Sequence, residues 1–311
     1  MSMEIKQRAD IRKVSEKLYL ITLFPPIPGF TNFISVWLYK GPPCFIVDIG
    51  PSVTIPQLIT ALKHLDVSRI DYLFLTHIHI DHAGGAGDFL HFFPDTPIIT
   101  HPEGISHLVD PSRLWKGSLD VLGEIAKIYE PIKPVPEDLL VDVNDFHACP
   151  VEPILTPGHS AHHISYQFED ILFAGEAAGV YLSEAAGHEY LRPATPPRFF
   201  LETFVQSLDR LLDRNADLIC YGHWGAKESG RELMEKHRNQ LYLWNRVIGE
   251  EMDKWNQEFF IPDCMKRLFS EDTLLSGFFN MDAETRKREE YFITNSIKGF
   301  GLFLKAAADN T

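Results

Sequence analysis

Short apolar runs, each bounded by glycine, proline or charged residues, dominate the first half of the chain. Runs of this kind predict buried β-strands, which we expect at Ile34–Tyr39, 44–49, 71–76 and 96–100. Between them, four apolar positions share one face of a predicted helix over residues 54–65, and these are Ile55, Leu58, Ile59 and Leu62. Residues 103–130 are expected to be mostly helical and to end at the prolines that follow.

A second β-rich block follows the first. Strands are predicted at 152–156, 163–168, 171–174 and Leu218–Tyr221, with the middle two joined as a hairpin at Glu169-Asp170. A helix over 199–214 would turn one apolar face inward, formed by Phe200, Phe204, Leu208, Leu211 and Leu212. Two successive blocks in which strands alternate with helices predict an α+β fold, an αββα sandwich of two mixed β-sheets flanked by helices.

After Gly225 the pattern becomes helical. Apolar side chains recur every three to four positions across residues 228–256, at Leu233, His237, Leu241, Trp244, Ile248, Met252 and Trp255. Further helices are expected at 262–270 and 284–305. We therefore divide the chain into a main domain, 1–225, and an all-helical C-terminal extension, 226–311. The stripe packs on the main domain or on a second subunit, and candidate contacts of a homodimer are Trp244, Trp255, Phe278 and Phe279.

Composition narrows the class of partner. Lys plus Arg number 29 against 43 Asp plus Glu in 311 residues, a net charge of −14. An acidic chain is a poor general binder of nucleic acid or anionic membranes, so neither is expected as a partner. No run approaches the roughly 18 apolar residues of a membrane span. Four scattered cysteines without a Cys-x-x-Cys pair and an N-terminus without an apolar signal core favour a reducing, cytoplasmic location.

The highest density of potential metal ligands lies at residues 76–85, which follow a predicted buried strand. They read Thr-His-Ile-His-Ile-Asp-His-Ala-Gly-Gly. Neutral imidazole and carboxylate are ligand types that suit zinc, iron or manganese. His77 and His79 are two apart, so on an extended segment both point the same way, and Asp81 continues the alternation. His82 follows at a turn into glycines. The spacing predicts a metal site, and the number of ligands indicates two metal ions.

Three further ligand types stand where predicted strands end. They are His159 after residues 154–158, Glu176 after 172–175, and His223 after 219–222. Strand ends from separate parts of a chain can hold such side chains rigidly at one edge of a sandwich.

Together this set resembles the metallo-β-lactamase superfamily over about residues 15–225, and Asp48 and Gly50 also match an early strand-end motif of that family. Residues 110–114 and 192–197 are similar to a group of its bacterial and archaeal hydrolase-like members. The resemblance implies that His77, His79 and His159 hold one metal ion, that Asp81, His82 and His223 hold the second, and that Glu176 bridges them. The family usually has Asp at this last position, so Glu176 could bridge differently, bind one ion only, or favour iron or manganese over zinc.

Other residues are candidates for supporting or substrate-binding roles. Asp48 is expected to accept the second ring N–H of a ligand histidine, with turn stabilisation as the alternative. The catalytic candidates are Asp81, which would orient the nucleophile, and His163. The family resemblance implies that His163 supports a metal ligand or contacts substrate, with plain packing as the alternative. Candidate substrate contacts are Tyr181, Tyr190, Arg192 and Arg198. The two arginines would bind a carboxylate or phosphate, unless they form surface salt bridges.

The resemblance implies a hydrolase in which a metal-bound hydroxide attacks a small ester, thioester or lactone. Two divalent ions are the expected cofactors, with zinc first and iron or manganese as alternatives. Neither a Gly-x-Ser-x-Gly elbow nor a phosphate-binding Gly-x-x-x-x-Gly-Lys motif occurs in the sequence. Two other functions stay open: an iron-containing redox protein acting on sulfur or oxygen, and a ligand-binding protein with little turnover. The acidic charge balance argues against a nuclease.

Overall fold

The computed structural model describes residues 8–185, 188–197 and 199–309. The chain forms two compact units, Met1–Pro150 and Val151–Thr311. Each unit contains a mixed β-sheet together with helices. The predicted class, two mixed sheets flanked by helices with a helical C-terminal region, is confirmed.

The first unit contains a seven-stranded sheet whose spatial order follows the chain. Its strands are β1 (Asp10–Lys13), β2 (Leu18–Leu23), β3 (Ile34–Tyr39), β4 (Phe45–Val47), β5 (Tyr72–Phe74), β6 (Ile98–Thr100) and β7 (Leu140–Asp142). Pairing is antiparallel from β1 to β4 and parallel from β4 to β7. All four predicted strands are present and three of them are shorter than expected, whereas β1, β2 and β7 were not predicted.

The helices of this unit are α1 (Ile55–His64), α2 (Ile80–Ala83), α3 (Ala86–Phe89), α4 (Pro102–Val109), α5 (Ser112–Leu122) and α6 (Glu124–Tyr129). Helix α1 buries Ile55, Leu58, Ile59 and Leu62, which confirms the predicted face. The stretch 103–130 is helical as predicted, but it is divided among α4, α5 and α6.

The second unit contains a five-stranded sheet and a separate two-stranded one. Its strands are β8 (Glu152–Leu155), β9 (Ile164–Phe168), β10 (Ile171–Gly175), β11 (Val180–Ala185), β12 (His188–Arg192), β13 (Leu218–Tyr221) and β14 (Ala226–Glu228). The larger sheet has the order β14-β13-β10-β9-β8, and the β9–β10 hairpin is confirmed. The β11–β12 hairpin was not predicted.

The helices of the second unit are α7 (Leu201–Leu212), α8 (Arg231–Gly249), α9 (Phe260–Glu271) and α10 (Ala283–Asp309). Helix α7 buries the predicted apolar face except for Phe200, which is 62% exposed. That assignment was wrong because Phe200 precedes the helix in extended backbone and does not follow the helical period.

The C-terminal part of the chain departs from the prediction in several places. Strand β14 pairs with β13, so the sheet continues past residue 225. The apolar stripe of α8 is confirmed as far as Ile248, but the helix ends at Gly249 rather than near residue 256. Trp244 and Phe278 are buried inside this unit, which removes them as contacts of a homodimer, whereas Phe279 is exposed. No helix in the described part of the chain is long and apolar enough to cross a membrane.

Helix α8 also carries a buried histidine whose titration is testable. His237 is fully buried and its Nδ1–H donates to Gln240 Oε1 at 2.8 Å. Burial lowers the pKa of His237 to about 4, against about 6.5 in the unfolded chain. Between these values the unfolded chain binds the proton and the folded protein does not, so stability falls as the pH is lowered.

We expect this histidine to account for a loss of about 3 kcal/mol between pH 7 and pH 4. Urea unfolding of metal-free wild type and His237→Gln across this range would measure the loss, because the variant lacks the titrating group. The exposed His64→Gln is the matched control and should keep the wild-type slope. An unchanged slope in His237→Gln would contradict the assignment.

Candidate metal centre

The histidine-rich segment begins where β5 ends. The rings of His77 and His79 have centroids 4.5 Å apart, and those of His77 and His82 are 4.2 Å apart. Both His77 and His82 are 1% exposed. Three imidazoles therefore cluster within the first unit, as the spacing predicted.

Asp48 ties this cluster to the neighbouring strand end. Its carboxylate accepts the Thr76 N–H at 2.8 Å, the Thr76 hydroxyl at 2.8 Å and the Nδ1–H of His82 at 2.8 Å. Because the Thr76 hydroxyl proton goes to Asp48, the Thr76 oxygen accepts from Nδ1–H of His77, 3.0 Å away. Both imidazoles therefore carry their proton on Nδ1 and present the Nε2 lone pair.

Backbone contacts fix the position of these groups. Asp48 adopts a left-handed conformation, with φ of 58°, and its N–H donates to the Phe74 carbonyl at 2.9 Å. The His82 carbonyl accepts from Ile49 N–H at 2.8 Å. The ends of the parallel strands β4 and β5 thus hold the histidine segment from two sides.

Asp81 does not continue the extended alternation expected from the sequence. His79 is extended, but α2 begins at the next residue, so Asp81 and His82 lie on a helical turn. The turn brings Asp81 Oδ2 to 3.8 Å from Nε2 of His82. The helix places these two side chains close together, which the strand-like period would not have done.

In the second unit, the ends of the parallel strands β10 and β13 carry Glu176 and His223. Gly175 has φ of 58°, and its carbonyl accepts from Gly222 N–H at 2.9 Å. A Cβ at residue 222 would lie only 3.0 Å from the Gly175 carbonyl carbon. Glycines at the ends of β10 and β13 let the two strand ends approach closely. The residues that follow them, Glu176 and His223, therefore lie side by side.

Glu176 lies between two imidazoles. Its Oε2 is 2.8 Å from Nε2 of His159, and its Oε1 is 3.4 Å from Nε2 of His223. Burial alone would raise the pKa of this carboxyl, but the two adjacent imidazoles hold it well below its usual range. The carboxylate is therefore ionised and uses a different oxygen for each ring.

The other nitrogen of His159 is already engaged. Its Nδ1 lies 3.0 Å from the Ala194 carbonyl, which can only accept, so Nδ1 carries the proton. In neutral His159 the Nε2 lone pair would then face an ionised carboxylate oxygen at 2.8 Å. Two acceptors at this distance require a cation or a proton between them, and this donor set fits a divalent metal ion.

His163 has both ring nitrogens bonded inside the protein. Nε2 accepts from Glu176 N–H at 3.0 Å, and Nδ1–H donates to the Thr156 hydroxyl at 2.9 Å. That hydroxyl lies 3.0 Å from Ser165, which in turn donates to the Ala174 carbonyl at 2.9 Å. His163 therefore anchors the backbone of Glu176, and a direct catalytic role for it stays a prediction.

Three of the polar groups expected to contact substrate bind carboxylates of the protein, and their contact with substrate stays a prediction. Arg192 donates from Nε to Glu289 Oε2 at 2.6 Å, and the Tyr190 hydroxyl donates to the same oxygen at 2.9 Å. Tyr181 is 2% exposed and its hydroxyl donates to Glu189 at 3.3 Å. Arg198 lies outside the described residues. Arg192 thus forms an internal ion pair through Nε, while its Nη1 donates to the Pro193 carbonyl at 3.3 Å.

Sequence reasoning missed three supporting groups: Thr76, Thr156 and the Ala194 carbonyl. Thr156 lies directly after β8 and Thr76 lies two residues after β5, each ahead of a predicted ligand, and that position could have indicated a partner for a histidine. The Ala194 carbonyl is a main-chain group, so the type of side chain at this position does not indicate its role.

The described residues thus include seven His, Asp and Glu side chains that could hold a metal ion: His77, His79, Asp81 and His82 in the first unit, and His159, Glu176 and His223 in the second. Imidazole and carboxylate donors suggest divalent metals.

The chain is similar to known proteins of one superfamily. Residues 29–223 match the family model of the metallo-beta-lactamase superfamily. The metallo-beta-lactamase fold-containing protein ST1585 of Sulfurisphaera tokodaii is 26% identical over 68% of this chain and 80% of its own. Hydroxyacylglutathione hydrolase of Yersinia pestis is 29% identical over 63% of this chain, which spans 64% of that enzyme's length. The structure of the family protein TTHA1429 from Thermus thermophilus matches with a TM-score of 0.65 at 19% identity, over 95% of both chains.

Proposed function

Because the chain belongs to the metallo-beta-lactamase superfamily, we propose that it is a metal-dependent hydrolase whose two sets of ligands hold two divalent ions. The family match at 29–223 includes every candidate ligand, from His77 to His223. His77, His79 and His159 are assigned to one ion, Asp81, His82 and His223 to the second, and Glu176 to both.

The observation that carries this proposal is the position of Glu176. Two ligand atoms about 2.1 Å from one tetrahedral ion would lie about 3.4 Å apart. The Glu176 oxygens lie 2.8 and 3.4 Å from the His159 and His223 nitrogens, one oxygen to each imidazole. That pattern suits a carboxylate shared by two ions, although the family usually has the shorter Asp at this position.

Divalent ions at such a site would lower the pKa of water and polarise a carbonyl oxygen. The residues of the chain would supply orientation. Asp48 fixes the His82 ring and, through Thr76, that of His77. His163 fixes the backbone of Glu176. Asp81, on the first turn of α2, would accept a hydrogen bond from the attacking water and so direct it.

We propose a small ester, thioester or lactone as substrate and zinc as the metal. Support for a thioester comes from the relatives named hydroxyacylglutathione hydrolase. Zinc suits the imidazole-rich donor set, with iron and manganese as alternatives. A cytoplasmic location and a homodimer through the C-terminal helices stay predictions.

The test is hydrolysis of a panel of thioesters, lactones and simple esters by zinc-loaded full-length protein. We expect at least one class to be cleaved, and cleavage to disappear after metal chelation and return on adding zinc. Metal-loaded protein that is inert to the whole panel would contradict the hydrolase proposal. Tight metal retention in that case would favour the ligand-binding alternative.

Glu176 itself favours one other function, an iron-dependent redox protein. A carboxylate arm longer by one methylene than the family's usual Asp changes the reach to each ion and could favour iron. Elemental analysis of protein purified without added metal, together with oxygen uptake, separates the alternatives. Protein that contains iron and consumes oxygen would support the redox function. Protein that contains only zinc would exclude it.

Asp48→Asn tests whether the hydrogen bond between Asp48 and the His82 ring supports metal binding. Asn tolerates the left-handed backbone of this position and keeps the side-chain volume, but it is a weaker acceptor for the His82 ring. We expect zinc affinity to fall about 10- to 100-fold. Chelator competition measures the affinity. The matched control is Asp142→Asn, at the end of β7, where the carboxylate accepts from Asn144 N–H at 2.9 Å. Unchanged affinity would mean that Asp48 only stabilises its turn.

A further inference from the structure

The C-terminal helix α10 contacts the segment that supports His159. Within the second unit, residues 193–196 directly follow the end of β12 at Arg192. The Ser296 hydroxyl of α10 donates to the Pro193 carbonyl at 3.1 Å, and this bond is buried. Glu289, also on α10, binds Arg192 directly before the segment. The helix therefore holds this segment at more than one point.

The closest approach occurs at Gly299. A Cβ at this position would lie 2.2 Å from the Thr195 carbonyl oxygen and 2.9 Å from that of Pro196. Only a glycine lets the backbone of α10 lie against this chain segment, although glycine costs about 1 kcal/mol relative to alanine within a helix. The close packing of the two backbones accounts for a glycine in the middle of a 27-residue helix.

The carbonyls of this segment serve two different partners. Those of Pro193 and Thr195 lie against α10, while the carbonyl between them, at Ala194, accepts the Nδ1–H of His159. That bond sets both the orientation and the tautomer of the ring, so that Nε2 points to Glu176. A displacement of the segment by α10 would therefore move the acceptor on which His159 depends.

We propose that α10 is a positioning element of the metal centre and that Gly299 and Ser296 are its positioning residues. They act on His159 through the Ala194 carbonyl. This inference rests on the proposed metal-binding function. It gives the helical C-terminal region a role in building the site, separate from any role in a homodimer.

The test compares two glycine substitutions on the same helix. Gly299→Ala places a methyl group against the Thr195 carbonyl, whereas Gly301→Ala places one against the Trp255 ring, with 2.1 Å to the nearest atom. Both add the same group to α10, and only the first acts on residues 193–196. Ser296→Ala removes the bond to Pro193 without adding volume. His159→Ala serves as the reference for loss of a ligand.

Zinc affinity, by chelator competition, and the visible absorption of the cobalt-loaded protein are the readouts. We expect Gly299→Ala to lose about 10- to 100-fold in zinc affinity and to shift the cobalt spectrum. Ser296→Ala should change the zinc affinity and the cobalt spectrum in the same direction but by a smaller amount. Gly301→Ala should leave the affinity and the spectrum unchanged. The melting temperature of each metal-free variant shows whether it is folded. If Gly299→Ala does not fold, Ser296→Ala decides the question alone.

Several results would overturn the inference, and they can be told apart. A folded Gly299→Ala or Ser296→Ala that keeps the wild-type zinc affinity and cobalt spectrum would refute the role of α10. If His159→Ala loses metal binding in the same experiment, the proposed metal-binding function stands. Equal losses of zinc affinity in Gly299→Ala and Gly301→Ala would show that general destabilisation of α10, and not its contact with residues 193–196, causes the loss. Unchanged metal binding in His159→Ala would refute the proposed function and the inference together.

Discussion

Glu176→Gln is expected to lower hydrolytic activity by about a thousandfold or more while leaving the protein folded. The substitution keeps the size of the side chain but removes the charge that faces both imidazoles. Metal-assisted catalysis contributes several kcal/mol to the transition state, and each 1.36 kcal/mol is a factor of ten in rate. The measurement is kcat/KM on the best substrate of the panel, with metal content determined on the same sample.

The matched control is Glu152→Gln, which changes an exposed carboxylate that pairs with Arg214 in the same unit. It should keep wild-type activity. Glu176→Asp, which restores the residue usual in the family, should retain far more activity than the Gln variant because it keeps the charge. A fully active Glu176→Gln would show that this carboxylate is not a metal ligand.

Glu289→Ala is expected to destabilise the protein by about 3–5 kcal/mol. The carboxylate is fully buried and pairs with two buried guanidinium groups, with Arg192 at 2.6 Å and Arg288 at 2.8 Å. Burial would raise the pKa of Glu289, but the two guanidinium charges lower it to about 2. Removing the carboxylate leaves both positive charges in the interior without this partner.

Urea unfolding at pH 7 of metal-free protein measures the loss. Glu250→Ala, in an exposed network with Arg246 and Arg267, is the control and should destabilise the protein far less, because solvent screens exposed ion pairs. A similar small cost for Glu289→Ala would mean that water or other groups satisfy the two arginines.

The candidate ligands could be identified from the sequence because His, Asp and Glu at the ends of apolar runs are visible in the residues themselves. The same holds for the strands around β5, β10 and β13, whose apolar runs are bounded by turn residues. Local patterns of this kind do not require knowledge of distant contacts.

What could not be predicted depends on groups far apart in the chain or on the backbone. Arg192 has the pattern of an anion-binding residue, yet its partner Glu289 lies 97 positions later. The Ala194 carbonyl carries no side-chain signal at all. Asp81 fits the extended period of its neighbours, but α2 begins one residue earlier and changes its direction.

The most direct test of the account is the number of metal ions bound per chain. Full-length protein loaded with zinc and dialysed should retain about two ions by elemental analysis, and His77→Ala and His223→Ala should each retain fewer. Retention of no divalent ion by the folded wild-type protein, or unchanged retention in both variants, would contradict the claim that these histidines belong to a metal centre.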